Sequence, residues 1–251
     1  ILPLRDPARA GLLAQVFERM DLIHCVSEDM RATVIGLGAA EDRILVNRPA
    51  VPLAAFAGLR EGRASHDGPL RVLSVGRLHW KKGLDDGLRA VARTVAAGRD
   101  VDYRMAGEGP EREKPSYLIH QLGIEESATM LGHQQPDEVR GLLAWADVLL
   151  LPSLSEGISN AVLEAMAAGV PVVTTACGGM DEVIVTGESG FVVPIGDVDA
   201  MASALCRLGA EPDLATSVGA AAAVRAADQS DLDRQVSLFG DAYLRLAGEG
   251  C

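Results

Sequence analysis

Residues Glu156-Gly157-Ile158-Ser159-Asn160-Ala161-Val162-Leu163-Glu164-Ala165-Met166-Ala167-Ala168-Gly169-Val170-Pro171-Val172-Val173 decide the fold. Ahead of them lies Val148-Leu149-Leu150-Leu151, a short apolar run of the kind found in strands buried on both faces. Helix formers fill the middle of the stretch, Gly169 and Pro171 close it, and Val172-Val173-Thr174-Thr175 begins a second β-rich run. The pattern predicts a βαβ unit with a polar loop at the carboxyl end of its first strand. Open α/β sheets bind ligands at that end.

The spacing says what the loop can hold. Ser159 is the predicted N-cap. The amides of Gly157, Ile158, Ser159 and Asn160 then face the crevice with the positive end of the helix dipole behind them, which suits a phosphate or diphosphate. Glu164 stands further along the helix, roughly 7–8 Å past the cap at about 1.5 Å per residue. A carboxylate there is badly placed for phosphate and well placed for a ribose hydroxyl pair one sugar away. Glu156 lies before the helix, on the loop, and can face another part of the same extended ligand.

This stretch resembles the E-x7-E signature of the retaining glycosyltransferases of family 4 (group 1), which have the two-domain GT-B fold. The resemblance implies that Glu164 holds the donor ribose and that Glu156 sits beside the transferred sugar. It also implies that Gly157, Ile158, Ser159 and Asn160 bind phosphate and sugar hydroxyls. A second motif points the same way. Leu70-Arg71-Val72-Leu73-Ser74-Val75 reads as a strand, followed by Gly76-Arg77-Leu78-His79-Trp80-Lys81-Lys82-Gly83 and then by Leu84, Leu88, Val91, Ala92 and Val95 at helical spacing. Cations between a strand end and a helix start can clamp a diphosphate leaving group. The family pattern G-R-L-x-x-x-K-G matches and nominates Arg77 and Lys82, with Glu156, as the catalytic set. Trp80 and Lys81 read as loop structure and solvated charge.

Two weaker resemblances extend the site. Val101-Asp102-Tyr103-Arg104-Met105-Ala106 runs into Gly107-Glu108-Gly109-Pro110, similar to a family loop near the nucleotide, which makes Gly107 a donor-binding candidate. The strand predicted from Ala128 to Gln134 resembles one that ends by the nucleobase. His133 is therefore either a base contact through its backbone or an exposed loop residue. Gly178 and Gly179 suggest a further crevice loop. The following Met180-Asp181-Glu182 lacks the proline that family members often place before the glutamate, so no chemistry is assigned there.

Composition bounds the alternatives. The chain has 251 residues, 48% of them hydrophobic, and alternates short β-rich runs with helical patterns, as α/β proteins do. Its net charge of −12 argues against nucleic acid as a partner. A local pocket around Arg77 and Lys82 can still oppose the global sign. No apolar run approaches the ~20 residues of a membrane helix, and the start lacks a signal-peptide pattern. The four cysteines are scattered singly and the five histidines form no paired arrangement, so neither a metal site nor a redox pair is expected.

The expected fold class is α/β, a Rossmann-like doubly wound parallel sheet forming the C-terminal half of a GT-B fold with a short remnant of the N-terminal domain. By the resemblance, residues 1–50 end the N-terminal acceptor domain and 51–68 form a linker, with Pro49 and Pro52 stiffening the crossing between the domains. Residues 69–230 bind the nucleotide-sugar donor, and 231–251 form a C-terminal crossing helix with Leu232, Val236, Phe239, Tyr243 and Leu246 on one face. The implied function is transfer of a sugar, with retention, from a nucleoside-diphosphate sugar to a glycan or lipid-linked acceptor in polysaccharide or glycoconjugate assembly. No cofactor or metal is expected, because two fixed cations replace one. The chain is expected to be a cytoplasmic fragment that mainly binds donor, with membrane-surface docking left to the rest of the N-terminal domain. The alternative is a non-catalytic nucleotide-sugar-binding or sensor module. A dinucleotide oxidoreductase is disfavoured because Gly107-Glu108-Gly109 lacks the third glycine of G-x-G-x-x-G.

Overall fold

The computed structural model describes residues 7–60 and 66–249. Residues 61–65, within the polar run expected between Arg60 and Gly68, and Cys251 lie outside the described residues. The chain opens with Pro7–Phe17 (α1), Ile23–Cys25 (β1), Glu28–Gly36 (α2) and Ile44–Val46 (β2), and β1 pairs with β2 in parallel. Ser27 caps α2, its Oγ accepting from the Met30 amide at 3.0 Å.

From Leu70 the chain alternates strand and helix: Leu70–Val75 (β3), Leu84–Ala96 (α3), Val101–Ala106 (β4), Glu113–Leu122 (α4), Ala128–Gly132 (β5), Pro136–Trp145 (α5), Val148–Leu151 (β6), Asn160–Ala167 (α6), Val172–Thr175 (β7), Met180–Val183 (α7) and Phe191–Val193 (β8). Three helices follow, Val198–Ala210 (α8), Pro212–Gln229 (α9) and Leu232–Glu249 (α10). Strands β3 to β8 form one parallel sheet in the order β5-β4-β3-β6-β7-β8. The chain winds outward from β3 to β5, returns to the middle, and winds the other way from β6. Its direction therefore reverses between β3 and β6, where a doubly wound sheet opens its crevice.

Alternation along each strand feeds two apolar layers. Val72, Tyr103 and Leu150 face α3 and α8, packing with Leu88, Val91, Met201 and Leu205. Leu73, Leu149 and Leu151 face the other way, against Leu143 of α5, Leu163 and Met166 of α6 and Ala222 of α9. All four residues of β6 are buried, as its unbroken apolar run predicts. Tyr103 is fully buried, and its hydroxyl is satisfied by Ser74 Oγ at 2.8 Å.

Two expectations need correction. The β5 strand ends at Gly132, two residues before Gln134, because Gly132 turns the chain with φ +73°. The packing face of α10 also differs from the predicted stripe. Ala242 is buried and Phe239 and Leu246 are half-buried, whereas Leu232, Val236 and Tyr243 are exposed. Contacts with the first segment select that face. Phe239 meets His24 edge-on at 4.9 Å, Gln235 Nε2 donates to the Arg48 carbonyl at 2.8 Å, and Asn47 Nδ2 donates to the Gln235 carbonyl at 3.0 Å.

Candidate functional site

All the predicted residues but Glu164 lie beyond the carboxyl ends of β3, β4, β5 and β6 or at the start of α6. The loops leaving β3 and β4 are laced by backbone: the Gly76 amide donates to Ala106 O at 2.9 Å, and the Gly107 amide donates to Gly132 O at 2.8 Å, at the end of β5. Gly107 has φ +144°, and a Cβ there would stand 1.9 Å from the Gly76 carbonyl oxygen. A side chain at 107 would force the two loops apart. Held this way, Gly76, Arg77, Gly107, Glu108, His133 and Gln134 line a hollow of about 300 Å³. Arg77, Gly107 and His133, nominated from three separate motifs, thus share one wall.

Lys82 comes from the short helix Trp80–Lys82 that follows the Arg77 loop. It lines a narrow cleft together with Gly76, Arg77 and Leu151. Its Nζ donates to Glu156 Oε2, forming an ion pair between two largely buried side chains. The buried Ser153 donates weakly to the same oxygen at 3.5 Å. Arg77 is exposed and has no protein partner among the described residues. The chain thus presents one cation held by a carboxylate and a second left open to a ligand.

The Glu156 loop is braced from β7. Gly178 has φ +61°, and a Cβ on it would fall 1.6 Å from the Glu156 carbonyl oxygen. Past Glu156, the amides of Gly157, Ile158, Ser159 and Asn160 donate to no acceptor among the described residues. Ser159 occupies the N-cap position of α6 with extended backbone, but its side chain makes no capping bond, contrary to expectation. The Ser159 side chain is buried, and the cap is left to its carbonyl, which accepts from Val162 and Leu163 at 3.1 Å. The helix start therefore offers unbonded amides with the positive end of the dipole behind them.

Glu164 is half-buried in the body of α6, and its carboxylate accepts no hydrogen bond among the described residues. Burial raises its carboxyl above the ordinary value. It is not among the residues lining the hollow beside Arg77 and His133. Cys177, on the neighbouring loop, is a free and buried thiol. Burial pushes its pKa up, outweighing a hydrogen bond with Thr175, so it offers no ready nucleophile. Among the described residues no group of His, Cys, Asp and Glu is arranged to hold a metal ion.

Sequence reasoning passed over Glu182, which ties the sheet to the first segment. Its carboxylate accepts from the amides of Glu28 and Asp29 at 3.1 and 3.0 Å and pairs with Arg48 at 2.6 Å. Burial opposes its ionisation, but those amides and the guanidinium prevail and hold its pKa below the ordinary value. The available signal was its place three residues after Gly179. Its partners lie far away in sequence, which is why the motif alone did not reveal the role.

The chain resembles known glycosyltransferases in sequence and known structures in fold. The sequence profile of Glycosyl transferases group 1 matches residues 58–225, more than half of the chain. The putative colanic acid biosynthesis glycosyltransferase WcaL of Escherichia coli K12 is 35% identical over 230 residues, covering 88% of this chain and 55% of WcaL. The amylovoran biosynthesis glycosyltransferase AmsK of Erwinia amylovora is 33% identical over 200 residues, covering 77% of this chain and 49% of AmsK. The chain thus spans about half the length of these relatives. Among solved structures, a sucrose-phosphate synthase from Thermosynechococcus elongatus superposes with TM-score 0.87 at 23% identity, covering 97% of this chain and 63% of its own. Anabaena HepE in complex with UDP superposes with TM-score 0.82 at 18% identity, covering 96% of this chain and 68% of its own. The strand order, the two strand-end motifs and the profile that spans both lead to one assignment: this chain belongs to the glycosyl transferases group 1 family.

Proposed function

We propose that the chain is the donor-binding half of a retaining, family 4-like glycosyltransferase that works without a metal ion. The observation that carries this reading is the grouping of Arg77, the Lys82–Glu156 pair and the unbonded Gly157–Asn160 amides at the switch point of the sheet. As the bond between the donor sugar and its phosphate lengthens, negative charge gathers on the departing diphosphate. In this reading Lys82, Arg77 and the helix-start amides face that charge, so little reorganisation is needed when it forms. A diphosphate approaching Lys82 competes with Glu156 for the same ammonium and leaves the Glu156 carboxylate facing the sugar. Glu164, half-buried and without a partner, is matched to the ribose hydroxyls. The Gly107 and His133 loops are matched to the base.

In this reading residues 1–50 belong to the acceptor domain, 51–68 link it to the donor domain of 69–230, and 231–251 cross back. The acceptor, a glycan or lipid-linked glycan, is held mainly by the half of the relatives that this chain does not span, as is any docking to the cytoplasmic membrane face. WcaL and AmsK are named for colanic acid and amylovoran biosynthesis, and assembly of such a polysaccharide is the proposed setting.

HepE has been solved with UDP and with UDP-glucose, which makes UDP the first probe. Calorimetric titration of the chain with UDP in excess EDTA is expected to show binding. Lys82→Ala should weaken it about tenfold or more, on the scale of ~1.5–3 kcal/mol for a hydrogen bond to a charged group. Once the chain is joined to an acceptor domain, the same substitution should slow transfer on the order of 10²–10³-fold. Absence of affinity for any nucleoside diphosphate rejects the reading. Binding without transfer in the joined protein favours a sensor.

A further inference from the structure

The loop that carries Arg77 and Lys82 has a second face. Behind it Trp80, Asp85, Asp86, Glu111, Lys114 and Leu154 line a separate hollow of about 150 Å³. Leu78 and Leu84 line both this hollow and the cleft that holds Lys82, so the two are separated by one layer of side chains. A ligand seated here lies next to the proposed reaction centre without occupying the donor's place.

The chemistry of this hollow is mixed in a particular way. Its floor is apolar, from Leu78, Leu84, Pro115 and Leu154. Trp80 lines it with 47% of its surface exposed and its ring 5.6 Å from that of His79, whereas the chain's other tryptophan, Trp145, stacks against the Arg104 guanidinium at 4.0 Å. Three carboxylates surround the space. Asp85 is paired with Lys114 at 2.6 Å, but neither Asp86 nor Glu111 accepts a side-chain hydrogen bond among the described residues. Burial raises Asp86 above the ordinary carboxylate value, with the Asp85 charge adding to the effect and Arg89 and Lys114 opposing it. A carboxylate that has lost water and gained no donor is stabilised by any ligand that brings hydroxyl donors.

A flat ring with an apolar face and a rim of hydroxyls satisfies each of these features. Its C–H groups meet the electron-rich face of the indole, and its hydroxyls donate to Asp86 and Glu111. An anionic ring is disfavoured by the three carboxylates. A cationic ring would crowd Lys81, whose Nζ already stands 5.9 Å from the indole centroid, and Lys114, which already offsets Asp85. We propose that this hollow is a saccharide subsite taking a neutral pyranose unit of the acceptor glycan; the acceptor role rests on the transferase reading above.

The test uses the full chain, with maltotriose and cellotriose as neutral probes, trigalacturonate as the anionic probe and a chitosan trimer as the cationic one. The chain has two tryptophans, so its spectrum carries two indole N–H signals, and Trp80→Phe identifies the one to follow. Titration by heteronuclear NMR is expected to shift the Trp80 signal with at least one neutral trimer at millimolar concentration. Trp80→Ala should weaken that binding tenfold or more, and Asp86→Asn or Glu111→Gln about threefold or more. UDP affinity, measured on the same variants, should stay within twofold of wild type and so report that the fold is intact. Neutral trimers that leave Trp80 unmoved, or that bind Trp80→Ala as well as wild type, overturn the subsite, as does a preference for the charged trimers. UDP binding that depends on Lys82 but comes without saccharide binding removes the subsite and leaves the transferase reading standing. Saccharide binding at Trp80 in a chain that ignores nucleoside diphosphates upholds the subsite and removes the transferase reading.

Discussion

Glu164 sits in tension with its surroundings. Burial raises its carboxyl pKa, so the folded chain keeps this proton over an interval in which the unfolded chain has released it. Stability attributable to the group is therefore greatest in acid. It declines as pH climbs from the ordinary carboxylate value of about 4.3 through the raised one. Glu164→Gln is expected to raise the thermal midpoint at pH 7 and to leave it nearly unchanged below about pH 4. The same variant should lose about tenfold in UDP affinity if the carboxylate binds the ribose, since hydrogen bonds to a charged group contribute ~1.5–3 kcal/mol. Calorimetric scans at the two pH values, paired with UDP titrations, separate the two effects. Unchanged UDP affinity removes Glu164 from the donor site. The residue's candidacy was legible in the sequence from its offset along a helix that begins at a loop. Its desolvation was not, because that depends on elements packed over α6 from elsewhere in the chain.

Short-range pattern marked out the central elements well. The strands β6 and β7 were readable as short apolar or β-branched runs buried throughout, and β3 and β4 as longer β-rich runs that end at Gly76 and Gly107. Pattern failed where a distant contact chooses the face. The apolar residues of α10 admit more than one stripe, and His24 and Arg48, far away in the sequence, select the one containing Phe239 and Ala242. The link between α7 and α2 was hidden for the same reason. Glu182 caps a helix to which it is not adjacent, and its pKa is held below the ordinary value. Its stabilising effect is thus present above the ordinary carboxylate pKa and lost as pH falls through the lowered one. Glu182→Gln is expected to cost about 1–2 kcal/mol at pH 7, in the range of a lost helix cap. The gap from wild type should narrow progressively below about pH 4 as the wild-type carboxyl takes up its proton. Urea melts across this range test the sign, and a gap that widens in acid contradicts the assignment.

At the scale of the whole molecule, a net charge of −12 surrounds a site proposed to receive a polyanion. Repulsion dominates at long range, while Arg77 and Lys82 act within a few ångströms. Added salt screens the first more than the second, with a screening length of about 10 Å at 0.1 M. Stopped-flow association of UDP is therefore expected to quicken between low salt and 0.1 M, the reverse of ordinary electrostatic steering. A rate that falls with salt shows that the local cations govern the approach. The contact between Gly178 and the Glu156 carbonyl has a consequence for exchanging parts between relatives. The turn after β7 and the turn after β6 are cut to each other's shape, so neither can be transplanted alone. A chimera made to change donor preference should take both as one cassette, and a library that varies them separately will consist largely of misfits.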